Sequence, residues 1–174
     1  MSRKYQYRET GFTLIELILV VTLIGILSAT ALQKYIALDV SANLAVLQNM
    51  KATLETATSL TYNKSLLAGN ESKLSGLVSI QQDHLIDSSN LNDPFVVATR
   101  YGYPQAVWSE IIKTITLDKT DWLYSDQLGA IDQPGTLYLW TKQGPGSLSS
   151  CNISYQGALD SGFRPQITIN EAGC

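Results

Sequence analysis

The chain has 174 residues, room for one ordinary globular domain and an appendage. Its hydrophobic fraction of 45% is typical of a soluble protein, yet much of it is concentrated between Phe12 and Leu32. The formal net charge is -3, and loss of residues 1–11, which hold Arg3, Lys4, Arg8 and Glu9, would leave 9 basic and 14 acidic residues, or -5, a balance that excludes nucleic-acid binding driven by overall charge.

Residues Phe12 to Leu32 read FTLIELILVVTLIGILSATAL, broken by one charge, Glu16, and flanked by Arg3, Lys4 and Arg8 before and Lys34 after. As a helix rising about 1.5 Å per residue the segment spans about 31 Å, against a hydrocarbon core of about 30 Å. The basic leader predicts a cytoplasmic N-terminus, with everything after Lys34 on the far side. Two rival readings exist. Ala29-Thr30-Ala31 forms a small-x-small site of the kind signal peptidase cuts, which would make Leu32 the mature N-terminus. Against it, Tyr35, Leu38, Val40, Leu44, Leu47 and Leu54 continue at helical spacing with no Pro or Gly before Gly69, and Glu16 falls where the apolar region of a signal peptide should start. A plain membrane anchor is the second rival, and it leaves Glu16 unexplained. A charge at the centre of a membrane helix costs about 2.5–3.5 kcal/mol on insertion scales, so an intramembrane Glu asks for a partner. No cation lies within one helical turn of Glu16, which places that partner on another molecule.

Gly11-Phe12-Thr13-Leu14-Ile15-Glu16, behind a short basic leader and ahead of a long apolar helix, resembles the processing signature of type IV pilins and the related pseudopilins. The resemblance implies cleavage after Gly11 by a prepilin peptidase, N-methylation of the new N-terminal Phe12 by a methyltransferase, and a role for Glu16 in assembly. The chemistry is coherent without the family. Cutting after Gly11 creates a charged amine on Phe12, and in a bundle of packed helices that amine is costly unless paired. Glu16, four residues along its own helix or on a neighbouring one, supplies the opposite charge. Family members often carry Pro where this chain has Gln33, while Gly25 is kept, so the helix melting that such a Gly and Pro permit is put in doubt.

The helix is predicted to run to Tyr62, with Val40, Leu44, Leu47, Met50, Leu54 and Ala57 on one stripe and Lys51 and Glu55 outside it. From there to Ser75 the Asn, Ser, Gly and Lys content reads as a surface loop. Strands are predicted at Leu77 to Gln81 and Phe95 to Arg100, a short helix after Pro104 through Ile115, and strands at Thr136 to Lys142, Asn152 to Gln156 and Gln166 to Asn170. The fold class is therefore α+β: a long N-terminal helix, its first half transmembrane or fibre core, packed on an antiparallel sheet, which the resemblance identifies with the type IV pilin fold. The expected division is a leader peptide 1–11, an N-terminal helix 12–62 with its membrane-spanning half 12–32, and a globular head 63–174.

The two cysteines, Cys151 and Cys174, both fall in the part predicted to lie outside the membrane, where an even number suits one disulfide. That bridge would close a C-terminal loop 151–174, which in type IV pilins borders the exposed face. Tyr101-Gly102-Tyr103-Pro104-Gln105-Ala106, Asp121-Trp122 and the final Gly173-Cys174 are similar to the mannose-sensitive haemagglutinin pilin group.

Enzymatic motifs are missing: there is no Gly-rich phosphate loop, no Cys or His metal spacing, no nucleophile motif, and His84 lies in a polar run. Asp83, Asp87 and Asp93 do not follow the spacing of an EF-hand loop. The sequence thus points to a structural subunit of a type IV pilus that forms a homopolymer, with no catalytic residues, no metal, no cofactor and no nucleic-acid partner. It would reside in the inner membrane before assembly and then in a surface fibre that attaches to a surface or host cell, with a glycan as the receptor class. The alternative is a type II secretion pseudopilin. Members of that family usually lack the C-terminal disulfide and often bind calcium, so Cys151 and Cys174 favour the pilus. A DNA-uptake pilin is disfavoured by the acidic chain, and a secreted binding domain would require Leu32 as its N-terminus.

Overall fold

The computed structural model describes residues 11–81, 93–130 and 133–174. His84, Asp83 and Asp87, and the basic leader residues Arg3, Lys4 and Arg8, lie outside them. The chain separates into two compact units, Met1–Val40 and Ser41–Cys174, and helix α1 (Leu14–Leu67) contributes to both. The architecture is α+β, a long helix whose later turns pack with antiparallel sheets, consistent with the type IV pilin fold.

In the first unit α1 is apolar on every side and none of the described residues covers it; Leu17, Ile18, Val21, Ile24, Leu27 and Leu32 are all exposed. Its few hydroxyls are satisfied within the helix, Thr22 donating to the Leu19 carbonyl (2.9 Å), Ser28 to Ile24 (2.7 Å) and Thr30 to Leu27 (3.0 Å), so they bring no unpaired polar group into an apolar surrounding. The helix continues through Gly25 and Gln33 without a break. By length and composition it can cross a membrane.

In the second unit one face of α1 is buried. Leu47, Met50, Leu54 and Ala57 join Ile111, Trp122, Leu137, Leu139, Ile153 and Tyr155 in the core. The buried face does not stop where the apolar stripe stops. Thr58, Thr61 and Ser65 extend it, the two threonines returning their hydroxyls to the Glu55 (3.0 Å) and Ala57 (2.9 Å) carbonyls and packing through their methyls. This is why α1 reaches Leu67 rather than ending at Tyr62: the Asn-Lys-Ser stretch that reads as loop is the last helical turn, held by Ser65 against the core and by the Lys64 ammonium donating to the Ile80 carbonyl.

Two antiparallel sheets follow. The first has the order β1-β2-β3, from β1 (Gly76–Ser79), β2 (Val96–Arg100) and β3 (Tyr103–Pro104). Tyr101 and Gly102, both at positive φ (49° and 82°), make the two-residue turn between β2 and β3. That turn sends Pro104 back along β2, opposite Thr99, so Pro104 is a strand residue and the expected helix begins later, as α2 (Trp108–Thr114). The Trp108 N–H, unpaired within α2, donates to Asp126 Oδ1 at 3.0 Å.

The second sheet has the order β4-β5-β6-β7, from β4 (Trp122–Gln127), β5 (Thr136–Thr141), β6 (Asn152–Gln156) and β7 (Gln166–Asn170). Strand β4 was not foreseen, because no alternation marks it: Trp122 is buried, while Leu123 and Tyr124 are both exposed and Ser125, Asp126 and Gln127 are polar. The sheets are tied by Tyr155 of β6, fully buried, whose hydroxyl donates to the Pro104 carbonyl at 2.7 Å; burial pushes its phenol above the ordinary range, so it stays a donor. A second tie is the ion pair Glu110–Lys113 (2.9 Å), both side chains nearly covered, in which Glu110 Oε2 accepts the Ala98 N–H (2.7 Å) and Lys113 donates to the Val96 carbonyl (2.9 Å). It fixes α2 to β2 at both charges, which satisfies a pair that would be costly to bury otherwise.

Cys151 and Cys174 are bonded, with Cα atoms 4.8 Å apart. The bridge is braced by the Cys151 N–H on the Ala172 carbonyl (2.8 Å), and the Asn43 amide of α1 reaches the Cys174 carbonyl (3.5 Å). Replacing both cysteines with Ser is expected to lower stability by about 2–4 kcal/mol, the usual effect of opening such a loop, read as a drop in thermal midpoint by circular dichroism. An unchanged midpoint would show that the hydrogen bonds alone hold the C-terminal segment.

Candidate processing and assembly site

Gly11, Phe12 and Thr13 precede the helix, and Phe12 is 83% exposed. Gly11 has no positive φ, and a Cβ added to it would meet nothing within 4 Å. The fold therefore places no demand for glycine here. Any requirement for it must come from a molecule that approaches the Gly11-Phe12 bond from outside, as a protease does.

Glu16 is the third residue of α1, and its carboxylate is engaged by its own chain. Thr13 donates to Glu16 Oε2 from both its backbone N–H (3.0 Å) and its hydroxyl (2.9 Å), while the Glu16 N–H returns to Thr13 Oγ1 (3.3 Å). The Thr13 carbonyl accepts the Leu17 N–H at 3.2 Å, which makes Thr13 the cap of the helix. The arrangement is a reciprocal capping box: two N–H groups with no partner inside the helix are satisfied, and a negative charge sits at the positive end of the helix dipole. In the sequence Thr13 stands out only as part of the processing signature, which masks its capping role. The signal was present as Thr-x-x-Glu ahead of an apolar run.

The structure thus groups Gly11, Phe12, Thr13 and Glu16 at one helix terminus, and Cys151 with Cys174 far along the chain in the head. Among the described residues no group of three His, Cys, Asp or Glu side chains is placed to hold a metal.

Residues 7–32 match a protein family described as the prokaryotic N-terminal methylation motif. No curated protein and no solved structure matches the chain. The motif supports a precursor of the type IV pilin or pseudopilin family and points to a structural, non-enzymatic subunit. It implies processing by prepilin peptidase and polymerisation. With the uncovered apolar helix, it fits anchoring in the inner membrane before assembly into an extracellular fibre.

Thr13→Val should remove the hydroxyl bonds of the capping box and destabilise the first turn by about 1 kcal/mol, whereas Thr13→Ser should keep them. Hydrogen exchange at the amides of residues 14–17 in detergent micelles reads the difference, with roughly fivefold faster exchange expected for the Val variant. Equal exchange in all three proteins would show that the cap contributes nothing to helix start.

Proposed function

We propose that this chain is a structural subunit of a type IV pilus, cut between Gly11 and Phe12, N-methylated at Phe12, and polymerised through its N-terminal helix into a surface fibre for attachment. The single observation that carries the proposal is an apolar helix exposed on all sides directly behind a prepilin processing signature. Such a surface needs either lipid or copies of itself. The proposed division is a leader 1–11, a helix with its membrane half 12–32, an N-terminus on the cytoplasmic side, and a head that passes to the cell exterior. Methylation of Phe12 leaves its amine cationic, and Glu16 is the proposed counter-charge. The disulfide of the head supports a pilus rather than a type II secretion pseudopilin. The likeness to the mannose-sensitive haemagglutinin group rests on residues that serve packing here: Tyr103 stacks on Tyr62 with ring centres 4.5 Å apart, and Pro104 accepts from Tyr155. It supports a subgroup without naming a receptor. A glycan receptor is part of the proposal only as a class.

The processing half of the reading is tested by sequencing the mature N-terminus: N-methyl-Phe12 is expected, and Leu32 would replace pilus assembly with ordinary secretion. A bulky residue at Gly11 should leave uncut precursor. The assembly half is tested with Glu16→Leu. Removing the charge eases insertion, so processed protein should accumulate in the membrane. In the fibre the Phe12 amine would lack its counter-charge, and breaking a buried pair from one side costs about 3–5 kcal/mol at every subunit added. Few or no sheared fibres are expected beside normal membrane levels on an immunoblot; wild-type fibre levels would show that the carboxylate is incidental. Loss of protein secretion with fibres intact in a deletion strain would point to the pseudopilin instead.

A further inference from the structure

The second sheet has a side that faces away from the core. Leu137, Leu139, Ile153 and Tyr155 are buried beneath it, so the residues that alternate with them point outward, and the register aligns these in rows across the four strands. One row is Ser125, Tyr138, Ser154 and Thr168, with the Ser154 and Thr168 hydroxyls bonded at 2.6 Å. The next is Gln127, Thr136, Gln156 and Gln166. Tyr138, Ser125 and Ser154 are half-buried, whereas Thr168 and the three glutamines are exposed.

The far end of this face is closed by the chain itself. Trp140, on the same side of β5 as Tyr138, lies against Gly146, where an added Cβ would come within 2.6 Å of Trp140 Cβ. The Asn152 amide donates to the Ser147 and Leu148 carbonyls (2.8 and 2.9 Å), and the Asn170 amide donates to the Ser149 carbonyl (2.9 Å). These bonds pin the 144–150 loop as a rim beside Trp140, with the Ser147 hydroxyl bonded to those of Ser149 (3.3 Å) and Ser150 (2.8 Å). The result is a floor of hydroxyls and amides around aromatic rings, stepped up at one end.

No position on this floor or in its rim carries a charge. Outward positions of a sheet, edge strands above all, are where Lys ordinarily keeps other molecules off, and β4 and β7 are both edges. The missing charge narrows the occupant. A phosphate-bearing polymer or an anionic lipid headgroup needs cations that the face does not offer. A protein interface is built on apolar and Arg anchors, and the two open rows hold one aromatic ring, no Leu, Ile or Val, and no Arg. A neutral sugar chain matches what is present. Hydroxyls and side-chain amides both donate and accept, as sugar hydroxyls do, and an aromatic ring stacks on the C–H face of a pyranose with no charge to desolvate. We propose that the outward face of β4 to β7, centred on Tyr138 and bounded by the 144–150 loop, binds an uncharged oligosaccharide. This deepens the reading of the chain as a subunit of an attaching fibre and rests on it.

The test places sheared fibres on an array of neutral glucose, galactose and N-acetylglucosamine oligomers beside sialylated and sulfated oligosaccharides. Wild-type fibres should bind members of the neutral set equally well at low and high salt. Tyr138→Ala, which removes the ring, and Gln156→Glu, which sets a charge on the floor, should each weaken that binding about tenfold. Ser161→Glu, in the loop between β6 and β7, should leave it unchanged, and fibre yield from all three variants should match wild type. No binding to the neutral set, or wild-type affinity in both face variants, would overturn the site and leave the pilus reading standing. Fibre loss with Gln156→Glu but not with Ser161→Glu would show that a second copy covers the face, which also overturns the site. Absence of fibres from wild-type cells would overturn the pilus reading and the site with it.

Discussion

Everything in this chain answers to an apolar helical surface that the chain cannot cover by itself. From Leu14 to Leu38 large apolar side chains face outward on every side of α1, and each would gain about 1.5–3 kcal/mol on leaving water. A bilayer and a bundle of like helices satisfy this equally well, because lipid tails are as apolar as leucine. The hydrophobic effect therefore keeps the helix out of water but gives little reason to move from lipid into a fibre. In the proposed pilus that preference must come from close packing, from polar pairing at the helix terminus, and from contacts between heads, which do meet in water.

The head is organised by the second half of the same helix. Leu47, Met50 and Leu54 supply aliphatic core, then Thr58, Thr61 and Ser65 continue the buried face with hydroxyls. The change follows what the helix meets. Beside Leu54 lies the aliphatic interior of the second sheet, whereas its last turns meet the β2–β3 turn, where a Cβ on Gly102 would come within 3.1 Å of Ser65 Oγ and 2.9 Å of the Tyr62 ring. A glycine at position 102, at positive φ and without a Cβ, allows this approach to Tyr62 and Ser65. Fully buried Tyr155 then joins the two sheets, and the bridge of Cys151 and Cys174 secures the end of the chain beside Asn43.

How much of this was legible depended on how local the cause was. The apolar run and the alternation of β5 to β7 are written in neighbouring residues, and both were readable. The last turn of α1 was misread because Asn63 and Ser65 favour turns in isolation, while the contacts that hold the turn, burial of Ser65 and the Lys64 bond to the Ile80 carbonyl, come from across the fold. Strand β4 was hidden because its exposed positions are mixed, Leu123 beside Ser125 and Gln127. Pro104 looked like a helix start and is a strand residue, since the preceding Tyr101-Gly102 turn dictates its direction. At the processing site, Gly11, Phe12 and Glu16 stood out by their chemistry, while the capping role of Thr13, written as Thr-x-x-Glu, was overshadowed by the processing signature that contains it. The exposure of Phe163 was not legible either, because an exposed aromatic and a buried one look alike in a loop sequence.

The capping box also bears on how Glu16 serves two environments. Both bonds from Thr13 fall on Oε2, and Oε1 has no hydrogen-bond partner among the described residues. The carboxylate can therefore keep the helix cap with one oxygen and accept a cation with the other. In the membrane the cap itself lessens the isolation of the charge, since two donors and the helix dipole face it. In the proposed fibre the amine of Phe12, one residue before the Thr13 N–H, can be met without giving up the cap. A carboxylate that had to break its cap to pair would lose on one side what it gained on the other. Because the two interactions would use different oxygens, the proposed pairing would be added to a helix start that is already formed.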